Sequence, residues 1–174
     1  MVFKSLLAKQ PKRPRWGLLI LVSTAFVLSY IPFINIPLTW MMTFFHEISH
    51  GIAALLTGGS IVKIQLHLIG SGVCYSSGGI RFVVLQAGYI GAVFWGCLLY
   101  QMAHKMQHKH TYIVSILLAI LIAVTAVLYG RDLITWVILI TLLSFFVSIM
   151  KLQNTYAIQF LLKFTGVYVL LDAV

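Results

Sequence analysis

The sequence predicts an all-α polytopic membrane protein with about six transmembrane helices and a small β-hairpin between the second and third. Of its 174 residues, 61% are hydrophobic and 9% are charged, and the mean hydropathy is +1.02. A soluble domain has about a quarter charged residues, so these values indicate a chain embedded in a bilayer. We expect one integral-membrane domain over residues 1–174, because the apolar runs leave no room for a separate soluble domain.

The first apolar run follows a basic segment, residues 1–15, which we expect to be a cytoplasmic tail. This run is long enough to cross a membrane and lacks a small-residue cleavage site, so we expect it to be retained as the first span. The chain is therefore predicted to be a multi-pass protein of the cell membrane with a cytoplasmic N-terminus. The predicted spans cover residues 16–36, 40–56, 82–100, 111–130, 133–150 and 158–174.

Counting six spans from a cytoplasmic N-terminus places positive charge on both sides of the membrane. The hairpin, with Lys63 and Arg81, lies on the cytoplasmic side in this arrangement. The loop of residues 101–110, with Lys105 and Lys109, lies outside, against the positive-inside rule. The larger N-terminal cluster decides the predicted orientation.

The glycine-rich segment of residues 57–81 interrupts the helical pattern. Ile64, Leu66 and Leu68 alternate with polar residues, which is the two-residue period of a strand. Gly70-Ser71-Gly72 is a turn signal, so we expect a β-hairpin over about residues 61–75. Because an open strand edge is not tolerated facing lipid, this hairpin must rest on protein, line a wet cavity or lie at the interface.

The formal net charge of +9 does not indicate nucleic acid binding. The cations flank apolar segments and form no face shared with aromatic residues, so membrane topology and anionic lipid headgroups explain them better. Cys74 and Cys97 have neither zinc-knuckle nor redox spacing, and we expect packing thiols.

The only glutamate of the sequence lies in the motif His46-Glu47-Ile48-Ser49-His50, inside the predicted second span. Histidines at i and i+4 lie ~40° apart around a helix and ~6 Å apart along it, so both rings can reach one zinc ion. Glu47 then faces the adjacent water. Ionisable groups at this depth are costly, which favours a functional role over chance. The motif predicts a membrane-embedded zinc hydrolase.

A zinc hydrolase needs a third protein ligand, and the sequence offers only two aspartates for it. His46 and His50 lie ~9–15 Å into the second span, and Asp172 lies ~18–20 Å into the sixth, which runs in the same direction. Asp132 lies at a span junction beside Arg131, where an ion pair explains it. We therefore predict Asp172 as the third ligand.

These residues resemble the site-2 protease type of intramembrane zinc metalloprotease. The zinc motif in a membrane helix, the hairpin and the small-residue third span all follow its order, and Leu170-Leu171-Asp172 looks like its Leu-Asp-Gly element. Gly58-Gly59 and Gly70–Val73 are similar to the compact bacterial branch. The Asn-Pro-x-Pro lead of larger members is absent, and Ala173 stands where glycine is usual. The likeness covers about residues 40–174.

The motif and the resemblance together predict peptide-bond hydrolysis, with Glu47 as the general base and Zn²⁺ held by His46, His50 and Asp172. The hairpin offers an edge for an extended substrate. The substrate-binding residues predicted on it are Ile64, Leu66, Gly70 and Gly72. The resemblance implies single-span membrane proteins or signal-peptide remnants as substrates. No nucleic acid partner is expected, and the oligomeric state is left open.

Two other classes of function remain open from the sequence. One is a catalytically silent scaffold of the same fold, which metal content would distinguish. The other is a metal transporter, which would need polar residues spread over more spans. Other candidate residues are more simply explained: we expect His67 to be solvated, and Lys105 and Lys109 to disfavour a second metal site. The remaining histidines and the glycines of the third span are assigned to a solvated loop and to helix packing respectively: His104, His108, His110, Gly88, Gly91 and Gly96.

Overall fold

The computed structural model describes residues 16–105, 108–151 and 155–173, and these residues form six helices and one two-stranded antiparallel sheet. The basic tail 1–15 lies outside them. The elements follow in the order α1 (Trp16–Ser29), α2 (Pro32–Leu56), β1 (Ser60–Leu66), β2 (Gly72–Ser77), α3 (Arg81–Lys105), α4 (His108–Tyr129), α5 (Leu133–Lys151) and α6 (Thr155–Asp172). The predicted helical fold, with a hairpin between its second and third helices, is confirmed.

The break between α1 and α2 differs from the prediction. We expected one helix over residues 16–36 and the next from residue 40, but α1 ends at Ser29 and α2 begins at Pro32. Ile31 between them is extended, with φ −98° and ψ 105°, because a proline disfavours helical backbone in the residue before it. Pro32 itself fits the first turn of α2, where its missing N–H costs nothing. The predicted boundary was therefore wrong.

The protein is a multi-pass membrane protein by the length and composition of its helices. Within the described residues, three helical segments are long and apolar enough to cross a membrane: Arg81–His104, Tyr112–Tyr129 and Leu133–Lys151. α1 and α2 meet at a bend of 109° and are long and apolar enough only as a pair, which is either one broken span, the fourth, or a re-entrant loop. α1 alone has 14 residues, or ~21 Å, against a hydrocarbon core of ~30 Å. Six separate spans are not confirmed.

Two ends of the molecule are separated by α3. The hairpin leads into the start of α3 at Arg81. The other end of α3, at His104, lines a groove together with Gly17 of α1 and Tyr156 of α6. We call these the hairpin end and the basic end, the second because the basic tail leads into α1 there. The hairpin and the start of α1 therefore lie at opposite ends of α3, and not on the same side as expected.

α3 packs antiparallel against α2. Near its start, the carbonyl of Val84 lies 2.6 Å from the Nδ1 atom of His50. Three turns later, Trp95 stacks on Phe45, with ring centroids 5.3 Å apart. The two helices therefore run in opposite directions along a shared face.

α3 also packs antiparallel against α6, at a crossing of two glycines. A Cβ on Gly96 would lie 2.8 Å from the carbonyl oxygen of Gly166, and a Cβ on Gly166 would lie 2.9 Å from the backbone nitrogen of Tyr100. Leu170, one turn further along α6, contacts Gly96. The expected close approach of small residues is present here, because only glycine lets the backbones meet. α2 and α6 therefore run in the same direction, as expected.

The hairpin rests on α4 and α5 along β1. The backbone N–H of Leu66 donates to Thr135 Oγ1 at 2.8 Å, and Ile64 forms a bridge to Gly130 at the end of α4. The side chains of Ile64 and Leu66 are 1% exposed. The pairing runs from Ser60 opposite Ser77 to Leu66 opposite Gly72, which confirms the predicted hairpin.

Asp132 caps α5 and orients the threonine that supports β1. Its carboxylate accepts from the Thr135 backbone N–H at 3.0 Å and from the Thr135 hydroxyl at 2.8 Å. Burial raises the pKa of Asp132, but hydrogen bonds from Thr135 and Gln65 outweigh it and hold the pKa below its usual value. Arg131 donates to the carbonyl of Leu128. The capping interaction, and not the expected ion pair, explains this aspartate.

Replacing Thr135 with valine should destabilise the fold, because the buried N–H of Leu66 would lose its acceptor. The expected loss is about 1–3 kcal/mol in the free energy of unfolding, measured by denaturant titration in mixed micelles. Thr141→Val on the same helix is the matched control, since its exposed hydroxyl bonds only to Val137 of its own helix. Equal losses in the two variants would contradict the role of Thr135.

Candidate active site

Both histidines and the glutamate of the α2 motif line one cleft of ≈ 550 Å³ near the hairpin end. The ring centroids of His46 and His50 lie 4.7 Å apart at an interplanar angle of 76°. His46 also meets the ring of Tyr89 on α3 edge to face, at 4.7 Å. The helical spacing thus brings the two imidazoles together as predicted.

The tautomer of His50 follows from its contact with α3. A carbonyl oxygen can only accept a hydrogen bond, so the Nδ1 atom that faces Val84 carries the proton and donates. With the proton of the neutral ring on Nδ1, Nε2 is the atom that can bind a metal. A backbone carbonyl on the far nitrogen is the usual support of a metal-binding histidine.

Gly88 on α3 gives the two rings their space. A Cβ on Gly88 would overlap the Nε2 atoms of both His46 and His50, and would lie 2.6 Å from His46 Cε1. Because both Nε2 atoms lie beside the same carbon position, they are close to each other between α2 and α3. We assigned Gly88 to packing from the sequence, and the structure adds that it borders the histidine pair.

Glu47 is buried between α2 and β2. Its side chain is 6% exposed, and the backbone N–H of Cys74 on β2 donates to its carboxylate. A Cβ on Gly72 would lie 2.9 Å from Glu47 Cγ, so β2 approaches this side chain closely. Burial, and to a smaller extent the charge of Glu47, raises the pKa of the Cys74 thiol to about 12. The thiol therefore stays protonated and unreactive, as a packing thiol would.

β2, and not β1, lines the cleft. Gly72, Cys74 and Ser76 all border it. Of the four predicted substrate-binding residues, Gly72 lies at the cleft, whereas the side chains of Ile64 and Leu66 are in the core.

Gly70, the fourth predicted substrate-binding residue, lies in the turn of the hairpin. Its carbonyl accepts from the hydroxyl of Thr43 at 2.6 Å. Close by, Trp40 Nε1 donates to the carbonyl of Leu68 at 3.0 Å. Gly70 therefore helps to hold the hairpin turn on α2.

The outer edge of β2 turns its backbone groups toward the cleft. On the other edge of the hairpin, the backbone groups of Ile64 and Leu66 point outward from β1, toward Gly130 and Thr135. In an antiparallel ladder, the residues opposite Ile64 and Leu66 therefore also turn their backbone N–H and C=O groups away from the partner strand. These are Cys74 and Gly72, and the Cys74 N–H does reach Glu47.

Asp172 is the last residue of α6, the helix that runs parallel to α2. Tyr168 donates to Asn35 Oδ1 and lies 3.3 Å from Thr39 Oγ1. Asp172 Oδ2 is buried with no hydrogen-bond partner.

A complete metal-binding group is not assembled in the structure. Among the described residues, no three His, Cys, Asp or Glu side chains are close enough together to hold an ion. The donors nevertheless fit zinc chemically: two imidazole Nε2 atoms lie close together, and a buried carboxylate oxygen on the parallel helix lacks a partner.

The other histidines lie away from the cleft. His67 is exposed beyond β1, where its charge acts on Asp132. His104 lies in α3 at the basic end, its ring stacked on Tyr100. The side chains of His108 and His110 are outside the described part of the structure. The predicted loop over 101–110 is largely helical, since α3 extends to Lys105 and α4 begins at His108.

Sequence reasoning missed the backbone groups and small residues around the site. The Val84 carbonyl and the Cys74 amide carry no sequence signal, because every residue has these groups. The small-residue pattern did mark Gly88, but only as a site of close helix approach. Arg81, which borders the cleft at the start of α3, was seen only as a topology charge.

The fold and the site are those of a helical membrane protein with a zincin-type histidine pair on a buried helix. The chain belongs to the Peptidase M50B-like family, which matches residues 19–174. The resemblance to the site-2 protease type is thereby confirmed, and the wider M50 family is generally zinc-dependent. No curated protein and no solved structure gives a significant match.

Replacing Gly88 with alanine should lower metal affinity, because the added methyl group displaces both imidazole rings. We expect a loss of about 10–100-fold, as for other changes that misorient metal ligands, measured by zinc competition against a chelator. Gly17→Ala is the control, since a Cβ there meets nothing within 4 Å. Unchanged affinity in folded Gly88→Ala protein would show that the histidine pair does not bind the metal.

Proposed function

We propose that the protein is an intramembrane zinc metalloprotease that cleaves peptide bonds of membrane-inserted segments. The observation that carries this proposal is the convergence of His46 and His50 beside the buried Glu47. All three side chains border a cleft that is walled by a strand edge. Family membership supports a peptidase of membrane proteins.

His46, His50 and Asp172 are the residues that would hold zinc. The protonated Nδ1 of His50 leaves its Nε2 as the donor atom, and the uncompensated oxygen of Asp172 supports it as the third ligand. Zinc, when bound, supplies a Lewis acid that activates water and polarises the scissile carbonyl.

Glu47 performs the proton transfers in this proposal. Its carboxylate takes the proton of the attacking water and returns it to the leaving amine. The Cys74 N–H orients this carboxylate, and Gly72 leaves room for it. The strand thus positions the base as well as bordering the substrate site.

The substrate segment would bind along the outer edge of β2. A peptide in a helix has its carbonyls occupied, so the scissile segment must unwind and become extended before attack. The outward backbone groups of Gly72 and the carbonyl of Cys74, whose N–H is held by Glu47, can pair with such a segment as an added strand. We therefore move the proposed substrate contacts from Ile64 and Leu66 to β2. Single-span membrane proteins and signal-peptide remnants are the substrate class proposed.

We propose that the basic end faces the cytoplasm. The tail 1–15 leads into it, and the end of α3, the start of α4 and the end of α5 bring further cations there: Lys105, Lys109 and Lys151. The hairpin end has only Lys63, Arg81 and Arg131. Treating α1 and α2 as one broken span removes the conflict with the positive-inside rule, because the start of α1 and the end of α3 then share a side.

Glu47→Gln should abolish cleavage while metal binding persists, because the amide keeps the shape of the side chain but cannot accept the proton. General-base removal costs ~10²–10⁴ in rate. The measurement compares zinc content and processing of a single-span reporter protein for wild type and variant in proteoliposomes. Equal reporter processing by both would reject the hydrolase. A zinc-loaded protein that performs its biological role equally with either residue is a binding scaffold.

Asp172→Asn should weaken zinc binding, whereas Asp132→Asn should not, because Asp132 caps α5 at the far side of the hairpin. Both changes remove one charge at constant shape. We expect at least a ~10-fold loss of affinity for Asp172→Asn, measured by chelator competition. Full affinity in Asp172→Asn would remove this residue from the ligand set and leave the two histidines with another donor.

A further inference from the structure

A second cavity of ≈ 510 Å³ lies between α1, α3 and α6 at the basic end, remote from the histidine pair. We propose that this groove binds an anionic phospholipid, with the phosphate near Lys163 and the acyl chains along α1. The site is separate from the proposed peptidase chemistry and does not depend on it.

The α6 wall of the groove carries a polar stripe. Tyr156, Gln159 and Lys163 are spaced three and four residues apart, so they share one face of the helix. Lys163 lies eight residues into α6, or ~12 Å, where an ionisable side chain is expensive and marks a functional site by default. Its flexible stem can raise the ammonium toward the headgroup level.

The α3 wall adds polar aromatic groups. The rings of Tyr100 and His104 stack with centroids 5.9 Å apart and an interplanar angle of 11°. Both side chains border the groove. A phenol hydroxyl and an imidazole can each donate to a phosphate oxygen, so α3 and α6 present donors from two sides.

The apolar lining explains why a lipid, and not a soluble anion, is the proposed occupant. Leu18 and Ile20 of α1 and Phe160 of α6 are 48%, 61% and 50% exposed, and all three border the groove. Toward the hairpin end a packed cluster of α1 and α6 residues closes it, including Leu21 and Phe164. The cavity is therefore amphipathic along its length, as a phospholipid is.

The charge of the groove selects an anion. Among the described residues that line it, Lys163 and His104 are the titratable groups besides tyrosine, and none is acidic. The three acidic residues of the whole sequence lie elsewhere, at positions 47, 132 and 172.

The test is native mass spectrometry of the full-length protein with phosphatidylglycerol and phosphatidylcholine of identical acyl chains. Wild type should retain phosphatidylglycerol preferentially. Lys163→Met should lower its retention about 5-fold, and Lys163→Arg should preserve it. Lys151→Met is the matched control, because this exposed lysine lies at the same end and does not line the groove. Glu47→Gln should bind the lipid as wild type does.

Three outcomes would overturn the proposal. Equal retention of both lipids by wild type would exclude headgroup selection, and this comparison decides even where a Lys163 variant fails to fold. Equal effects of Lys163→Met and Lys151→Met would indicate non-specific attraction to the basic end. Displacement of the lipid by soluble glycerol 3-phosphate at millimolar concentration would identify the ligand as a free phosphate.

Discussion

The close approach of α3 to α2 is the constraint on which the site depends. The helices meet where α3 has no side chain at Gly88 and Gly91, so that the imidazoles and the hydroxyl of Ser49 fill the space. This hydroxyl in turn accepts from Trp95 Nε1 at 3.2 Å. A wider separation would release the Val84 carbonyl from His50. The histidine tautomer and the position of the rings are therefore consequences of backbone proximity.

The hairpin shows how a membrane protein can keep one strand edge available. Backbone groups inside a bilayer must be satisfied within the protein or by water. β1 meets this requirement through Thr135 and Gly130. β2 meets it in part through Glu47 and otherwise faces a cleft. A polar cleft can hydrate an open strand edge, so the two edges have different roles although the strands are of similar length.

The sequence predicted features that arise from local pattern. The zinc motif, the two-residue period of the hairpin and the glycine turn each depend on residues close together in the chain. Which face of a strand lies in the core depends on neighbours that are distant in the sequence. Alternation placed Ile64 and Leu66 on one face, but α4 and α5 decide that this face is the core. The capping role of Asp132 was hidden for the same reason, since its partner Thr135 is itself engaged by β1.

The helix break before Pro32 and the role of Gly88 show two other limits. A proline restricts the residue before it, yet the apolar composition continues through the break, so hydropathy alone suggested one span. Small residues four apart predict that some helix approaches, and they do not say which side chains it brings. α2 packs against Gly88 and Gly91 of α3, and α6 packs against Gly96 further along the same helix.

The unpartnered oxygen of Asp172 has a thermodynamic consequence. A buried carboxylate oxygen without a hydrogen bond is a cost that the folded protein carries, and a cation bound there offsets it. Any ligand that binds only the folded state stabilises that state in proportion to the logarithm of its concentration. With zinc as that ligand, the lifetime of the folded chain in the membrane becomes coupled to zinc supply, so that metal-starved cells would hold less of the protein as well as less of its activity.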